Sequence, residues 1–418
     1  DTVAALITYL QALSALPSTG TVFITNGRTT AGDTPTRTMT LKDASHTDNG
    51  GTIRTVSGDK HLEITDWDGD VRDFGVVGDG VTDDKVALQK AIDAAATNSV
   101  EVRLQNKEYF LNSSSTGVEL LTIPSNTVIN GNGANINGKT ASGGSFVTGN
   151  INIEGTRTST TSDLTASVVR GVNTVTVADA SGFTAGDKIT IQAPTDEGEN
   201  GDAGKVAPTE LNEIVSIATN TLTLKFPLSH DYNIAADHNG SDTSTVRKIS
   251  AIKENILIKD VELNVFVRFA LVDGMEFRGC TMPRTLNFAS SDAGTFADDP
   301  SRNITIDLDV SAVRAPSTGP DENVGLYNIT NLDANIRTYG GFKDGIRVHG
   351  CSDGIIKANI SECGNRPIHM YKSQNITLDA PTITGTIVDA TEYELILFDS
   401  CRYCTARDIY IDEVGKTG

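Results

Sequence analysis

Three aligned segments decide the fold: Ile346-Arg-Val-His-Gly-Cys-Ser-Asp-Gly-Ile355, Ile368-His-Met-Tyr-Lys-Ser-Gln-Asn-Ile376 and Leu395-Ile-Leu-Phe-Asp-Ser-Cys-Arg-Tyr403. A looser copy precedes them at Val324-Gly-Leu-Tyr-Asn-Ile-Thr-Asn331, and the first residues of the four copies are separated by 22, 22 and 27 positions. Each copy combines a strand of alternating pattern with a turn and a further short strand. A period of roughly 20–29 residues without helical spacing indicates one solenoid turn per copy. The sequence therefore predicts stacked coils of parallel β-strands.

Alternation within each copy predicts which side chains point outward. Successive residues of a strand face opposite sides, and stacked strands lie about 4.8 Å apart. The first and third residues of each copy are apolar and should point into the core. The fourth position then gives an outward column of rings: Tyr327, His349, Tyr371 and Phe398. The second position gives Gly325, Arg347, His369 and Ile396.

These outward columns suit a saccharide. Sugar rings stack their C–H faces on aromatic side chains, and their hydroxyl groups need fixed donors and acceptors. The pattern predicts either a saccharide groove or a surface that a neighbouring subunit covers, and the two are compatible. The predicted substrate-binding residues are Tyr327, Arg347, His349, Arg366, His369 and Tyr371.

Carboxylates flank the same strands. The position two residues before each copy holds Glu322, Asp344, Arg366 and Tyr393. Glycoside hydrolysis uses two carboxyl groups, about 5–5.5 Å apart in retaining enzymes and about 6.5–9.5 Å apart in inverting ones. Stacked coils offer separations near both ranges. We therefore predict catalytic carboxylates among Glu322, Asp344, Glu362 and Glu394; the alternative is that they are solvated turn residues of an acidic protein.

A second informative stretch is Val71-Arg-Asp-Phe-Gly-Val-Val-Gly-Asp-Gly-Val-Thr-Asp-Asp-Lys-Val-Ala-Leu-Gln-Lys-Ala-Ile-Asp93. Its glycines permit a tight turn with positive φ, and its acidic residues can cap the helix that follows. Val86, Ala87, Ala91 and Ile92 form an apolar stripe at helical spacing. Such a helix can cover the open end of a stack of strands, where unpaired backbone would otherwise be exposed.

This stretch resembles the entry segment of the pectate-lyase-like β-helix superfamily, especially that of phage tailspikes and capsule depolymerases. The resemblance continues through Val102-Arg-Leu104, Glu108-Tyr-Phe-Leu111 and residues 121–134, so that it covers about residues 71–136. It implies an all-β fold: a right-handed parallel β-helix with an N-terminal capping helix and a small inserted β-domain. It also implies a homotrimer in the virion tail, made in the host bacterial cytoplasm, that binds a bacterial surface polysaccharide.

The pattern changes along the chain predict four parts. Residues 1–65 form an adaptor or head segment, which begins with a short helix and which the resemblance connects to the phage tail or baseplate. Residues 66–150 form the capping helix and first coils, residues 151–250 the inserted β-domain, and residues 251–418 the shaft. Tailspikes usually carry a further C-terminal domain, whereas this sequence stops just after a coil.

Composition limits the partners. The formal net charge of −20 argues against nucleic acid and against an anionic membrane surface, because both are bound by clustered Lys and Arg. The five cysteines are predicted to be buried thiols of the stacked core rather than a disulfide framework or a zinc site. We predict no metal and no cofactor.

Three functional hypotheses follow. The first is a glycoside hydrolase that depolymerises capsule or O-antigen with paired carboxylates. The second is a polysaccharide lyase acting on an acidic glycan, with Arg347, Arg366 or His369 beside the substrate carboxylate and Tyr371, His349 or Lys372 as base. The third is a receptor-binding or baseplate protein that uses the same groove without cleavage.

Overall fold

The computed structural model describes residues 2–43, 47–57, 59–113, 118–139, 149–193, 207–234, 243–282, 288–289, 299–311, 322–340, 344–363, 366–385, 387–388, 394–412 and 415–416. Two compact units are present: residues 1–149 with 257–262, and residues 150–256 with 263–418. None of the helices in the described ranges is long and apolar enough to cross a lipid bilayer.

The first unit begins with helix α1 (Val3–Ala12), as predicted, whose first turn is capped by the Thr2 hydroxyl. Helix α1 packs through Val3 and Leu10 on an antiparallel sheet of strand order β1-β2-β4-β3. The strands of this sheet are β1 (Val22–Asn26), β2 (Thr36–Asp43), β3 (Ile53–Ser57) and β4 (Lys60–Ile64).

The rest of the first unit contains a 3₁₀-helix, the capping helix and the first parallel strands. The elements are the 3₁₀-helix Val71–Phe74, β5 (Asp79–Asp83), α2 (Lys85–Asn98), β6 (Val102–Arg103), β7 (Glu108–Asn112), β8 (Val118–Thr122) and β9 (Val128–Lys139). Gly75 ends the 3₁₀-helix at φ 88°, a conformation that glycine adopts without steric cost.

Helix α2 differs from the predicted detail in two ways. Its N-cap residue is Asp84, but the Asp84 carboxylate accepts from the Val77 and Gly78 amides of the preceding turn instead of capping the helix. The prediction for Val86 was wrong: this side chain is exposed, and Leu88 joins Ala91 and Ile92 on the buried side. The Asp84 carboxylate therefore holds the turn before the helix, and the buried side of α2 consists of Leu88, Ala91, Ile92, Ala94 and Ala95.

Antiparallel strands form a separate sheet within the second unit. After β10 (Gly149–Glu154), the sheet has the order β11-β16-β13-β14-β15-β12. Its members are β11 (Thr156–Asp163), β12 (Thr174–Thr176), β13 (Lys188–Gln192), β14 (Thr209–Ala218), β15 (Thr221–Leu224) and β16 (Thr245–Ala251). Its core is centred on Ile189, Ile191, Leu222 and Tyr232. We call these six strands, together with the described residues between them, the insert.

The shaft follows as β17 (Lys253–Asn264), β18 (Phe266–Ala270), β19 (Val272–Met282), β20 (Phe288–Ala289), β21 (Ser301–Ser311), β22 (Glu322–Tyr327), β23 (Ile329–Tyr339), β24 (Asp344–His349), β25 (Ser352–Ser361), β26 (Ile368–Tyr371), β27 (Gln374–Asp379), β28 (Thr382–Thr384), β29 (Ile387–Val388), β30 (Ile396–Asp399), β31 (Thr405–Arg407), β32 (Tyr410–Asp412) and β33 (Gly415–Lys416).

The shaft strands stack into two parallel sheets. The short-strand sheet has the order β10-β18-β20-β22-β24-β26-β30, and the long-strand sheet the order β17-β19-β21-β23-β25-β27-β31. Each coil turns from one sheet to the other at a residue with positive φ, as at Asn328, Gly350, Lys372 and Ser400. The space between the sheets is filled by fully buried apolar side chains such as Ile346, Val348 and Ile356. This architecture confirms the predicted parallel β-helix. Cys280, Cys351 and Cys363 are buried free thiols, whereas the free thiols of Cys401 and Cys404 are only half-buried, so the prediction of five buried thiols was wrong for these two.

The predicted register of the last aligned copy was wrong by one residue. Ile368 pairs with Ile396 rather than Leu395, and Tyr371 pairs with Asp399 rather than Phe398. Phe398 therefore shares the inward column of Met370. The four apolar residues Leu395-Ile-Leu-Phe398 carry no alternation, so their sequence pattern does not fix the register.

Candidate active site

Seven of the predicted site residues contact one another beside β22, β24 and β26: Tyr327, Asp344, Arg347, His349, Arg366, His369 and Tyr371. Val324, Ile346 and Ile368 are register partners and point into the core, so the residues that follow them point outward. Arg347 consequently lies beside His369, and Tyr327, His349 and Tyr371 form one column. The two predicted columns are confirmed up to the last copy.

Asp344 is the centre of the polar group on this face. Its Oδ2 accepts from Arg347 Nε at 3.0 Å and from Arg347 Nη2 at 2.8 Å. Arg366 Nε lies 3.4 Å from Asp344 Oδ1, and His369 Nδ1 lies 3.7 Å from Oδ2. We call Asp344, Arg347, Arg366 and His369 the clamp.

The clamp keeps Asp344 ionised although its side chain is inaccessible to solvent. Burial raises the pKa of Asp344, but the interactions with His369, Arg347 and Arg366 outweigh burial and lower this pKa below its ordinary value. A carboxylate with a lowered pKa is a poor general acid. Arg347 and Arg366 keep about a fifth of their side chains exposed, 19% and 22%, so the cationic side of the clamp reaches the surface.

The rings of the second column pack edge to face around His349. The His349 ring centre lies 5.3 Å from that of Tyr327, 5.3 Å from that of Tyr371 and 5.2 Å from that of His369. Lys372 Nζ lies 5.2 Å from the centre of the Tyr371 ring. His369 therefore belongs both to the clamp and to the stack of rings. All four rings are at least 90% buried, so their outward direction does not make them exposed.

The four predicted carboxylates have different surroundings. Glu322 is the register partner of Asp344, one coil away, but its side chain lies outside the described residues. With the corrected register, Glu394 rather than Tyr393 stands two residues before its strand, and Glu394 is exposed. Glu362 lies at the end of β25, where Tyr339 forms a hydrogen bond with it and has a raised pKa in consequence. Glu362 has no contact with the clamp in the described part of the chain.

The insert packs beside this site on the corner between the two sheets. The Thr209 amide donates to Asn328 Oδ1 at 3.2 Å, and Arg170 pairs with Asp353 at 2.6 Å. Sequence reasoning missed Glu210, His230 and Tyr232, which are buried close to this corner. Burial raises the pKa of Glu210 to about 8 and lowers that of His230 to about 4. Only the apolar neighbours of these residues in sequence gave any signal that they are buried.

Among the described residues, no group of three or more His, Cys, Asp or Glu side chains is arranged to hold an ion. The clamp itself contains one carboxylate and two guanidinium groups, and a site with excess positive charge attracts an anion rather than a cation.

Comparisons with known proteins find similarity of structure only. No family model matches the sequence, and no curated protein matches it. Among solved structures, the gp54 tailspike of Acinetobacter baumannii bacteriophage AP22, in complex with capsular saccharide, is 14% identical with a TM-score of 0.38, over 84% of this chain and 72% of that one. The tailspike gp49 of Pseudomonas phage LKA1 is 14% identical with a TM-score of 0.32, over 84% of this chain and 81% of that one.

A third solved structure is the enzymatically active domain of tailspike protein 2 from bacteriophage CBA120. It is 12% identical with a TM-score of 0.37, over 98% of this chain and 52% of that one. At these identities the comparisons concern the fold, and they give no residue of this chain a role.

Proposed function

We propose that this chain is the β-helical body of a phage tailspike that binds and depolymerises an acidic bacterial surface polysaccharide at the clamp. The observation that carries the proposal is the ionised Asp344 held between Arg347 and Arg366 beside a stack of imidazole and phenol rings. Two guanidinium groups and one carboxylate leave net positive charge at the surface, which fits a sugar that bears a carboxylate.

This composition favours a lyase over a hydrolase. Binding of the uronate carboxylate by Arg347 and Arg366 makes the adjacent C5 hydrogen more acidic. A base from the rings around His349 removes that proton, the electron pair forms the C4–C5 double bond, and the C4–O glycosidic bond breaks. The leaving oxygen takes a proton from a second ring or from water. Asp344 is then a positioning residue for both arginines and for His369.

Product analysis tests the proposal. The protein is incubated with capsular polysaccharides and lipopolysaccharides from a panel of bacteria, including acidic glycans and their carboxyl-reduced forms. We expect new fragments with the ultraviolet absorbance of an unsaturated uronate, from acidic glycans only. Cleavage of a carboxyl-reduced glycan, or fragments without unsaturation, would exclude the lyase reaction. Binding without fragments would leave a receptor site.

Hydrolysis is the second candidate because of one observation, the register of the carboxylates. Glu322 and Asp344 are partners on adjacent strands, about 4.8 Å apart along the stack, which is close to the separation in retaining glycosidases. A Glu322→Gln variant separates the two reactions. Hydrolysis by this pair requires Glu322, whereas the lyase reaction at the clamp continues without its charge.

The assembly completes the proposal. We infer that three copies associate along their shafts and that residues 1–65 attach them to the phage tail or baseplate, as the sequence resemblance implies. Light scattering of the purified chain gives the mass of the particle, and a monomer at micromolar concentration would argue against the trimer.

A further inference from the structure

A cleft in the first unit is lined entirely by residues of that unit, whereas the clamp belongs to the second unit. Its volume is about 310 Å³. This is near the lower end of the range for small-molecule pockets, about 300–1,000 Å³. The lining residues come from the start of β3, the end of β4, the end of α2 and the residues next to these elements: Thr52, Ile53, Glu63, Ile64, Thr65, Trp67, Asn98 and Val100.

Trp67 forms a fixed aromatic wall of the cleft. The Trp67 Nε1–H donates to the Asp70 carbonyl at 3.2 Å, and the indole packs edge to face on Phe74 with ring centres 5.4 Å apart. The indole is held by these two contacts before any ligand arrives, so binding costs little side-chain entropy. Ile53, Ile64 and Val100 add an apolar surface beside it.

The rim of the cleft is polar but not cationic. Glu63 and Asn98 supply oxygen acceptors, and Thr52 and Thr65 supply hydroxyl groups. None of the eight lining side chains is a Lys or Arg, although Glu63 is paired with Lys42 outside the cleft. An anionic ligand would therefore meet the Glu63 carboxylate without a lining cation, whereas a neutral polyhydroxylated ligand would meet only partners for its hydroxyl groups.

We propose that this cleft is a second saccharide site, which takes one neutral sugar residue. The C–H face of the sugar stacks on Trp67, and its hydroxyl groups donate to Glu63 and Asn98. The site differs in ligand class from the clamp, whose arginines select a carboxylate. It would hold a neutral part of a glycan at the N-terminal unit, independently of any cleavage at the shaft.

The single tryptophan of the chain makes the test direct, because all Trp fluorescence comes from Trp67. The full 418-residue protein is titrated with glucose, galactose, mannose, N-acetylglucosamine and N-acetylgalactosamine while the emission is recorded. We expect a saturable change with at least one of these sugars. Asn98→Ala should lower the affinity for that sugar by about two- to tenfold, because it removes one hydrogen bond. Glu63→Gln should lower the affinity by a similar factor, because a neutral amide oxygen accepts a weaker hydrogen bond than a carboxylate oxygen.

Thr97→Ala is the matched control, since Thr97 is exposed on the same turn of α2 and is absent from the cleft lining. It should bind like the wild type. The absence of a saturable change with every sugar, or equal affinity in wild type, Asn98→Ala and Glu63→Gln, would overturn the proposal.

Discussion

Asp344 in the shaft and Glu210 in the insert are both buried carboxyl groups, with 1% and 2% of their surfaces exposed. Their pKa values nevertheless move in opposite directions. Asp344 faces two arginines and a histidine, and its pKa is lowered. Among the described residues, Glu210 accepts hydrogen bonds from Ser229 only, the amide of which lies 2.6 Å away, and burial outweighs them and raises the pKa of Glu210 to about 8.

The difference shows that the partners of a buried carboxyl group decide its charge. Desolvation disfavours the ionised form in both places. At Asp344 the nearby cations offset that cost, so the carboxylate remains charged and can orient them. At Glu210 the cation that opposes the effect of burial is Arg302, whose own pKa is lowered by burial. Its influence is too small to keep Glu210 ionised, so Glu210 holds its proton at neutral pH. One site is thus a fixed charge and the other a neutral acid.

Replacing Asp344 should have the largest effect. Asp344→Asn leaves Arg347 and Arg366 without their anion, so we expect a loss of about 3 kcal/mol in the free energy of unfolding. Misplacement of the arginines should lower depolymerisation by about 100-fold. Denaturant unfolding measures the loss of stability, and the rate at which glycan fragments form measures the loss of activity. A purely structural role would reduce the amount of folded enzyme but leave the kcat and KM of the folded fraction unchanged.

Glu210→Gln tests the opposite case through pH. Because the unfolded chain releases the Glu210 proton above about pH 4.5 while the folded chain holds it to about pH 8, rising pH favours the unfolded state of the wild type. The wild type should lose about 1.4 kcal/mol per pH unit relative to Glu210→Gln within this interval. Thermal unfolding from pH 5 to pH 9 measures the difference. Parallel pH profiles for the two proteins would show that Glu210 does not titrate as inferred.

Arg347→Lys keeps the positive charge of the clamp but removes the planar guanidinium group that donates two hydrogen bonds to Asp344. The guanidinium binds Asp344 through two nitrogens, which one ammonium group cannot reproduce. We expect KM for an acidic glycan to rise about tenfold, equivalent to about 1.4 kcal/mol, with little loss of stability. Arg337→Lys on the long-strand sheet is the matched control. An equal effect of the two variants would mean that the clamp does not hold the substrate.

The fold was predictable because a solenoid repeats one local pattern. The alternation in Ile346-Arg-Val-His349 and its copies fixes which side chains face the core, and equal spacing fixes their partners. The pattern failed at Leu395-Ile-Leu-Phe398, where every residue is apolar. The two outward columns followed from the same register, so the placement of Arg347 beside His369 and of His349 beside Tyr371 was predictable.

The environment of the site was not predictable from the sequence. Alternation tells which way a side chain points, but not what covers it, and the rings near His349 are buried although they point outward. The clamp depends on Arg366, which lies outside its strand and reaches Asp344 across coils. Glu210 was missed because its burial depends on tertiary packing. The neighbouring Thr209 contacts Asn328 at the corner of the shaft, and these two residues are 119 positions apart in the sequence.

The smallest effect is expected at an exposed ion pair of the shaft. Asp309 pairs with Arg337 on the outer face of the long-strand sheet, and their side chains are 49% and 38% exposed. Water already solvates both charges, so Asp309→Asn should change the free energy of unfolding by less than about 0.5 kcal/mol, and added salt should reduce the difference further. Denaturant unfolding of the wild type, Asp309→Asn and Asp344→Asn at low and high salt measures the change in stability and its dependence on salt. If Asp309→Asn lowered the free energy of unfolding as much as Asp344→Asn, burial would not explain why one ion pair of this shaft is weak and another strong. The different pKa shifts of Asp344 and Glu210 would then need another explanation.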